Sequence, residues 1–213
     1  MKKAIIWDLD GTLFDSYDVI VESICLVFQE FGIPASKDAL HQYAIRVSIK
    51  ALFQSAQEEY GVSAEQLQQR YTQISGSKYL DIKTMKYAID VLRLLESRGV
   101  ENYVFTHRGK TTVPVLDNLK MTHFFKEIIT SQSGFPRKPD PEAIHYLIDK
   151  YGLDPSATCY VGDRRLDMEC ARNAGIFAVL YLPENSIDVS GGVENYTVKD
   201  LLDILDVIEK LPE

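Results

Sequence analysis

Little in this chain points to cross-linking, a membrane or a polyanionic partner. Three cysteines, Cys25, Cys159 and Cys170, stand in 213 residues. They are odd in number and form no C-x-x-C pair, so neither a disulfide framework nor a zinc site is indicated, and they read as reduced thiols. The longest uninterrupted apolar run, Ile176 to Leu182, falls far short of the roughly 18 residues that suggest a membrane span. At the N-terminus Lys2 and Lys3 precede only the short apolar stretch Ala4 to Trp7, too little for the apolar region of a secretory signal, and the expected location is cytoplasmic. Basic residues are in deficit, 23 against 31 acidic, for a net charge of -8. That balance repels a polyphosphate backbone, so no nucleic acid is expected as a partner. Nothing specifies an oligomeric state.

What is present is an ordinary folded chain. With 46% hydrophobic and 25% charged residues, disorder and fibrous repeats are set aside, and the length suits one large domain or one domain carrying an insert. Short β-branched or aromatic runs at Ala4 to Trp7, Asn102 to Phe105, Glu127 to Thr130, Thr158 to Val161 and Phe177 to Leu182 each lead into polar or glycine-containing turns and read as strands. Helical spacing lies between them, as in Ala88, Val91, Leu92 and Leu95 ahead of a stop at Gly99. This alternation predicts an α/β protein with a doubly wound, Rossmann-like parallel sheet that binds ligands at the carboxyl ends of its strands. Residues 15–81 interrupt it. They hold no convincing strand, and they predict helices near Ser16 to Phe31, Asp38 to Tyr60 and Ala64 to Gly76, separated by Gly32-Ile33-Pro34 and Gly61-Val62-Ser63. The expectation is a discontinuous α/β core, residues 1–14 and 82–213, with an all-helical domain, residues 15–81, inserted after the first strand.

Four polar groups fall at the ends of four predicted strands. In Asp8-Leu9-Asp10-Gly11-Thr12 two acids straddle one apolar residue, so both can face one site, and Gly11 lets the backbone turn beside them. A polar turn is the plain alternative. A calcium loop fails, because counting from Asp8 its required Gly and Glu positions hold Leu13 and Val19. Gly162-Asp163-Arg164-Arg165-Leu166-Asp167 follows the run Cys159-Tyr160-Val161. Asp163 there is either the cap of the following helix or, with Asp167, part of a site for a hard divalent cation. Thr106 ends the strand Tyr103-Val104-Phe105, and Lys138 precedes Pro139-Asp140-Pro141. Their bland readings are a turn residue and a solvated charge, with Asp140 and Pro141 as N-cap and first helical residue. Their common placement at strand ends, where such sheets bind ligands, favours a site.

Taken in order, Asp8-x-Asp10-Gly-Thr, Thr106 after an apolar strand, Lys138 before Pro-Asp-Pro, and Gly162-Asp163-x-x-x-Asp167 resemble all four motifs of the haloacid dehalogenase superfamily of phosphotransferases. The resemblance covers the whole chain. The helical insert stands where members with a type 1 cap carry it, as in the phosphoglycolate phosphatase and β-phosphoglucomutase branches.

The resemblance implies a Mg²⁺-dependent phosphomonoester hydrolase acting on a small phosphorylated metabolite such as phosphoglycolate or a sugar phosphate. By position, Asp8 is the implied nucleophile that becomes an aspartyl phosphate, and Asp10 the implied acid and base. The Asp8 carboxylate, the Asp10 backbone carbonyl and Asp163 are implied to bind Mg²⁺, with Asp167 a direct ligand or one step behind. Thr106 and Lys138 are implied to hold the phosphoryl group. A second aspartate at position 10 argues within this superfamily for a phosphate ester, since dehalogenase members lack it. Tyr43, Arg46, Ser48 and Lys50 correspond by position to a substrate-specificity loop of related caps, with Arg46 where a glycine is common; a solvated helical face is the alternative. His107 and Arg108 depart from the Thr-Asn pairing common in that branch, and read as substrate contacts or as loop. Two competing functions remain: a sugar phosphomutase on the same core, and a non-catalytic binding or regulatory module. The intact acidic and lysine set counts against the latter.

Overall fold

The structure, a computed structural model, describes residues 2–212 apart from 47, 185 and 187–190, and leaves the side chains of 44–46 undescribed. The chain divides into two compact units, Asp15–Lys83 on one hand and Met1–Phe14 with Thr84–Glu213 on the other.

The first unit is helical: α1 (Tyr17–Glu30), α2 (Lys37–Arg46), α3 (Ile49–Tyr60) and α4 (Ala64–Ser77). Ile20, Val21, Ile24, Val27 and Phe28 form one stripe of α1, which packs on α2 and α4. With Leu52, Phe53 and Ala56 of α3 and Leu67 and Ile74 of α4 they make this unit's core. Phe53 sits between Phe28 and Tyr71, its ring centroid 6.1 and 5.8 Å from theirs. The single helix expected over Asp38 to Tyr60 is two helices. Ser48 has extended backbone and its hydroxyl accepts from the Ala51 N–H at 3.1 Å, so it caps α3 and starts a new helix where the apolar spacing alone runs on.

The second unit holds the strands β1 (Ala4–Trp7), β4 (Glu101–Phe105), β5 (Phe125–Ile129), β6 (Thr158–Gly162), β7 (Phe177–Tyr181) and β8 (Tyr196–Val198); β2 (Phe14–Asp15) and β3 (Lys83–Thr84) pair separately where the chain passes between the units. The six main strands run parallel in the order β5-β4-β1-β6-β7-β8. The predicted α/β class with a doubly wound parallel sheet is therefore found. Every residue of β1 and β6 is buried, as central strands covered on both faces must be. One face carries Ala4, Ile6, Tyr103, Phe105, Tyr160, Ala178 and Leu180, alternating along their strands. It packs on Ala143, Ile144 and Leu147 of α7 (Glu142–Tyr151) and on Met168, Cys170 and Ala171 of α8 (Arg165–Asn173). Trp7, of opposite parity, donates its indole N–H to the Asn102 side-chain oxygen at 2.9 Å. Burying each of the large apolar side chains of β1 stabilises the fold by about 1.5–3 kcal/mol.

The expected helix at Ala88 is α5 (Ala88–Ser97), with Ala88, Val91, Leu92 and Leu95 buried. Strand β8 and the helices α6 (Thr112–Asn118) and α9 (Ile204–Lys210) were not among the elements expected. Each is seven residues or fewer, too short for a period to stand out of its polar surroundings. Among the described residues no helix is long and apolar enough to cross a membrane.

Candidate active site

Because the sheet is parallel, the carboxyl ends of β1, β4, β5 and β6 share one edge, with β1 between β4 and β6. The chain order reverses there, the place where open α/β sheets accept ligands. Asp8 leaves β1 with its N–H still donating to the Val161 carbonyl at 2.9 Å. The next residues turn back at once: the N–H groups of Thr12, Leu13 and Phe14 all reach the Leu9 carbonyl, at 3.1, 3.0 and 2.8 Å. That turn needs Gly11, whose φ of 80° lies in the left-handed region that other residues enter only with strain. Thr106 extends β4 by one rung, its N–H on the Ile129 carbonyl at 3.0 Å, and Asp163 directly follows β6.

These strand ends assemble an inner cluster. The Lys138 ammonium donates to Asp8 Oδ1 at 2.9 Å and to Asp167 Oδ1 at 2.6 Å, with the side chains at most 2% exposed. The other oxygen of Asp167 accepts from the Arg164 N–H at 3.1 Å. It is thus Asp167, not Asp163, that closes the first turn of α8; Asp163 Oδ1 instead lies 3.4 Å from the Thr12 hydroxyl. Burial opposes the Lys138 charge, but the carboxylates of Asp167 and Asp8 outweigh it and hold the lysine above its ordinary range. The rings of Phe105 and Tyr160 add their negative faces 5.4 and 5.2 Å away. Gly162 permits the packing: a Cβ on it would come within 2.5 Å of the Asp167 Cβ.

Carboxylate oxygens of Asp8, Asp163 and Asp167 all lie within 4.8 Å of one another. Two of these carboxylates share the Lys138 ammonium in a buried setting, and Asp8 Oδ2 is buried with no hydrogen-bond partner. An all-oxygen, acidic and under-satisfied donor set is what a hard divalent cation requires. The residues therefore fit such an ion.

Beside this cluster stands an outer pair. The Arg108 guanidinium grips the Asp10 carboxylate, Nη2 at 2.9 Å and Nε at 3.1 Å from Oδ1 and Nε at 3.2 Å from Oδ2. Its Nη1 donates to the Thr111 hydroxyl at 2.9 Å, and its backbone N–H to the Thr106 hydroxyl at 3.2 Å. His107 turns the other way: its Nε2 accepts from the Lys138 N–H at 2.8 Å. Burial, reinforced by the charges of Lys138, Arg137 and Arg164, pushes the imidazole down to about 2, so it stays neutral and can accept.

The structure thus brings Asp8, Thr106, Lys138, Asp163 and Asp167 to one edge, with Asp10, His107 and Arg108 beside them. The hydroxyl of Thr12, the backbone of Arg164 and the rings of Phe105 and Tyr160 join them unannounced, because strand-end spacing identifies side chains that point outward and not those that support them. Asp140 accepts from the Glu142 N–H at 2.9 Å, while Pro141 immediately precedes α7, one residue later than the cap expected. Tyr43, Ser48 and Lys50 belong to the helical unit. There Tyr43 packs against its core, Ser48 is a cap and Lys50 is exposed. The side chain of Arg46 lies outside the described residues.

Comparison with known proteins agrees with this architecture. The family model described as haloacid dehalogenase-like hydrolase matches residues 5–181. A phosphoglycolate phosphatase of Aliivibrio fischeri is 29% identical over 197 residues, covering 84% of this chain and 84% of that protein. Another, of Pasteurella multocida, is 27% identical, with 97% and 98% covered. A solved structure of a haloacid dehalogenase-like family hydrolase from Streptococcus pneumoniae superimposes with a TM-score of 0.83 at 24% identity, covering 97% of this chain and 98% of that one. With a family match spanning well over half its length and this arrangement of strand-end residues, the chain belongs to the haloacid dehalogenase-like hydrolases.

Proposed function

We propose that the protein hydrolyses phosphomonoesters by way of a phosphorylated Asp8. The observation that carries this reading is the state of Asp8: a buried carboxylate at the end of the central strand, fixed on one oxygen by Lys138 and unpartnered on the other. Held in that way, a carboxylate is oriented for attack while keeping lone pairs available. In the first half-reaction an Asp8 oxygen bonds to phosphorus, the ester P–O bond breaks and its electron pair leaves with the ester oxygen. Asp10 supplies the proton that oxygen needs. In the second half-reaction water attacks the same phosphorus, Asp10 takes the proton, and Asp8 and inorganic phosphate are released. Lys138 offsets charge on the transferring group, and the Thr106 hydroxyl donates to one of its oxygens. Phe105 and Tyr160 line the lysine and help exclude water.

Mg²⁺ is the proposed cofactor, held by Asp8, Asp163 and the Asp10 backbone carbonyl. When bound, it would neutralise the phosphoryl oxygens and lower the repulsion between two anions. Asp167 is assigned a place behind these ligands, because both its oxygens already serve donors, Lys138 and the Arg164 N–H. The proposed substrate is a small phosphorylated metabolite, with phosphoglycolate the first candidate on the strength of relatives that bear that name. The helical unit is proposed as the cap that selects the ester. Three free cysteines, two of them buried, suit work in the reducing cytoplasm.

Phosphate release from phosphoglycolate, hexose phosphates and nucleotides, with and without Mg²⁺, tests the reading. Mg²⁺-dependent release by the native protein and none by Asp8→Asn is the expected outcome. Equal release from that variant, checked for deamidation, would sink it.

A further inference from the structure

The outer pair leads beyond this reading, on which the inference rests. Asp10 has a task only if its carboxyl faces the ester oxygen, yet both its oxygens are engaged by Arg108. The arginine itself is firmly placed. Its Nη1 is tied to the Thr111 hydroxyl, its backbone N–H to Thr106 and its carbonyl to the Ser131 N–H at 3.1 Å. Its guanidinium carbon lies 5.9 Å from the centre of the Phe14 ring. Asp10, by contrast, sits on the turn after β1. The pair is also the accessible part of the site: the Arg108 and Asp10 side chains are 11% and 22% exposed, against at most 2% for Asp8, Lys138 and Asp167.

We propose that Arg108 determines specificity: it is a carboxylate-binding fork at the open side of the site, which Asp10 occupies in the free protein and exchanges for a carboxylate of the substrate. A guanidinium fork fits any carboxylate in the same two-point manner. Exchanging one carboxylate for another keeps the guanidinium paired before and after, so no charge is left without a partner. The exchange frees Asp10 to turn to the ester oxygen while keeping the arginine satisfied. Because Arg108 and Asp10 touch, a bound carboxylate must lie close to that oxygen. The substrate class is therefore a phosphomonoester with a carboxylate on, or next to, the carbon bearing the ester. An uncharged leaving group offers Arg108 nothing in exchange.

The experiment compares kcat and KM for phosphoglycolate and ethyl phosphate, which share two carbons and differ by the carboxylate, in the native protein, Arg108→Gln and Arg108→Lys. The native protein is expected to favour phosphoglycolate in kcat/KM. Arg108→Gln should reduce that preference about tenfold to a hundredfold, chiefly through the KM of phosphoglycolate, the effect of losing charge-assisted hydrogen bonds to one group. Arg108→Lys keeps the charge without the fork and should raise the same KM severalfold, which decides the matter if the glutamine variant does not fold. The proposal is overturned if the native protein hydrolyses both esters equally well. It is also overturned if the variants lower kcat for both esters by one factor, since Arg108 would then act on Asp10 alone. Release of phosphate from neither these two esters nor p-nitrophenyl phosphate by the native protein, in the presence of Mg²⁺, is a distinct result: it removes the phosphatase reading and this proposal with it.

Discussion

The two units bury different things. The core of the helical unit is apolar, and among its described residues Ser16 and Ser23 are the only buried polar side chains. The sheet unit buries Asp8, Thr12, Asn102, Thr106, Thr112, Lys138, Thr158, Asp163 and Asp167. Hydrophobic packing does not account for a lysine and three aspartates at one strand edge. Desolvating each ion costs several kcal/mol, and the pairing only repays it when the geometry is good. A fold carries such an arrangement for its chemistry, so removing one charge there should damage stability and activity together, whereas removing an apolar side chain from the helical core should damage stability alone.

The largest effect is expected at Lys138. Lys138→Met keeps length and volume but leaves Asp8 and Asp167 buried together without their counter-charge. A loss of about 3–5 kcal/mol is expected from breaking one side of a buried pair, and phosphate release should fall by a factor of about a hundred or more from the lost charge stabilisation. Urea unfolding and steady-state rates measure the two. A variant as stable as the native protein would show that the inner cluster is already balanced without the lysine.

Leu67→Ala addresses the other unit. Leu67 is fully buried in α4, and a cavity in such a core costs about 2–5 kcal/mol. Amide exchange should quicken across α1, α3 and α4 while β1 and β6 keep their protection, if the two units open separately. Uniform acceleration through the sheet would mean that the units unfold as one.

How far the sequence foretold each region follows from the physics of each. The sheet was legible because buried parallel strands are apolar on both faces and stop abruptly at polar residues, as β1 does at Asp8 and β6 at Asp163. The same abrupt stops exposed Asp8, Thr106 and Asp163 as candidates for a site. The break between α2 and α3 was not legible, because a single serine at position 48 acts through one hydrogen bond to a backbone N–H, which leaves no mark on hydrophobic spacing. Nor was the pairing of Arg108 with Asp10 or of His107 with Lys138. These residues are 98 and 31 positions apart and meet only because β1, β4 and β5 are neighbours. Periodicity reads one element at a time; partners across elements need the topology.

The smallest effect lies in that last contact, and it carries a pH signature. An unfolded histidine takes up a proton as pH falls through about 6.5, whereas His107 in the folded protein resists protonation down to about 2. Across that window the unfolded state binds more protons, so the stability held above pH 6.5 is lost progressively as the solution becomes more acid. Two pH units of such mismatch amount to at most about 2.7 kcal/mol, and for a ring that is not wholly buried about 1–2 kcal/mol is the expected loss on going to pH 4.5. His107→Asn removes the titration but retains a side-chain acceptor for the Lys138 N–H. Its urea midpoint at neutral pH should lie slightly below that of the native protein and should fall less between pH 7 and 4.5. Parallel declines would show that the acid sensitivity does not come from the imidazole.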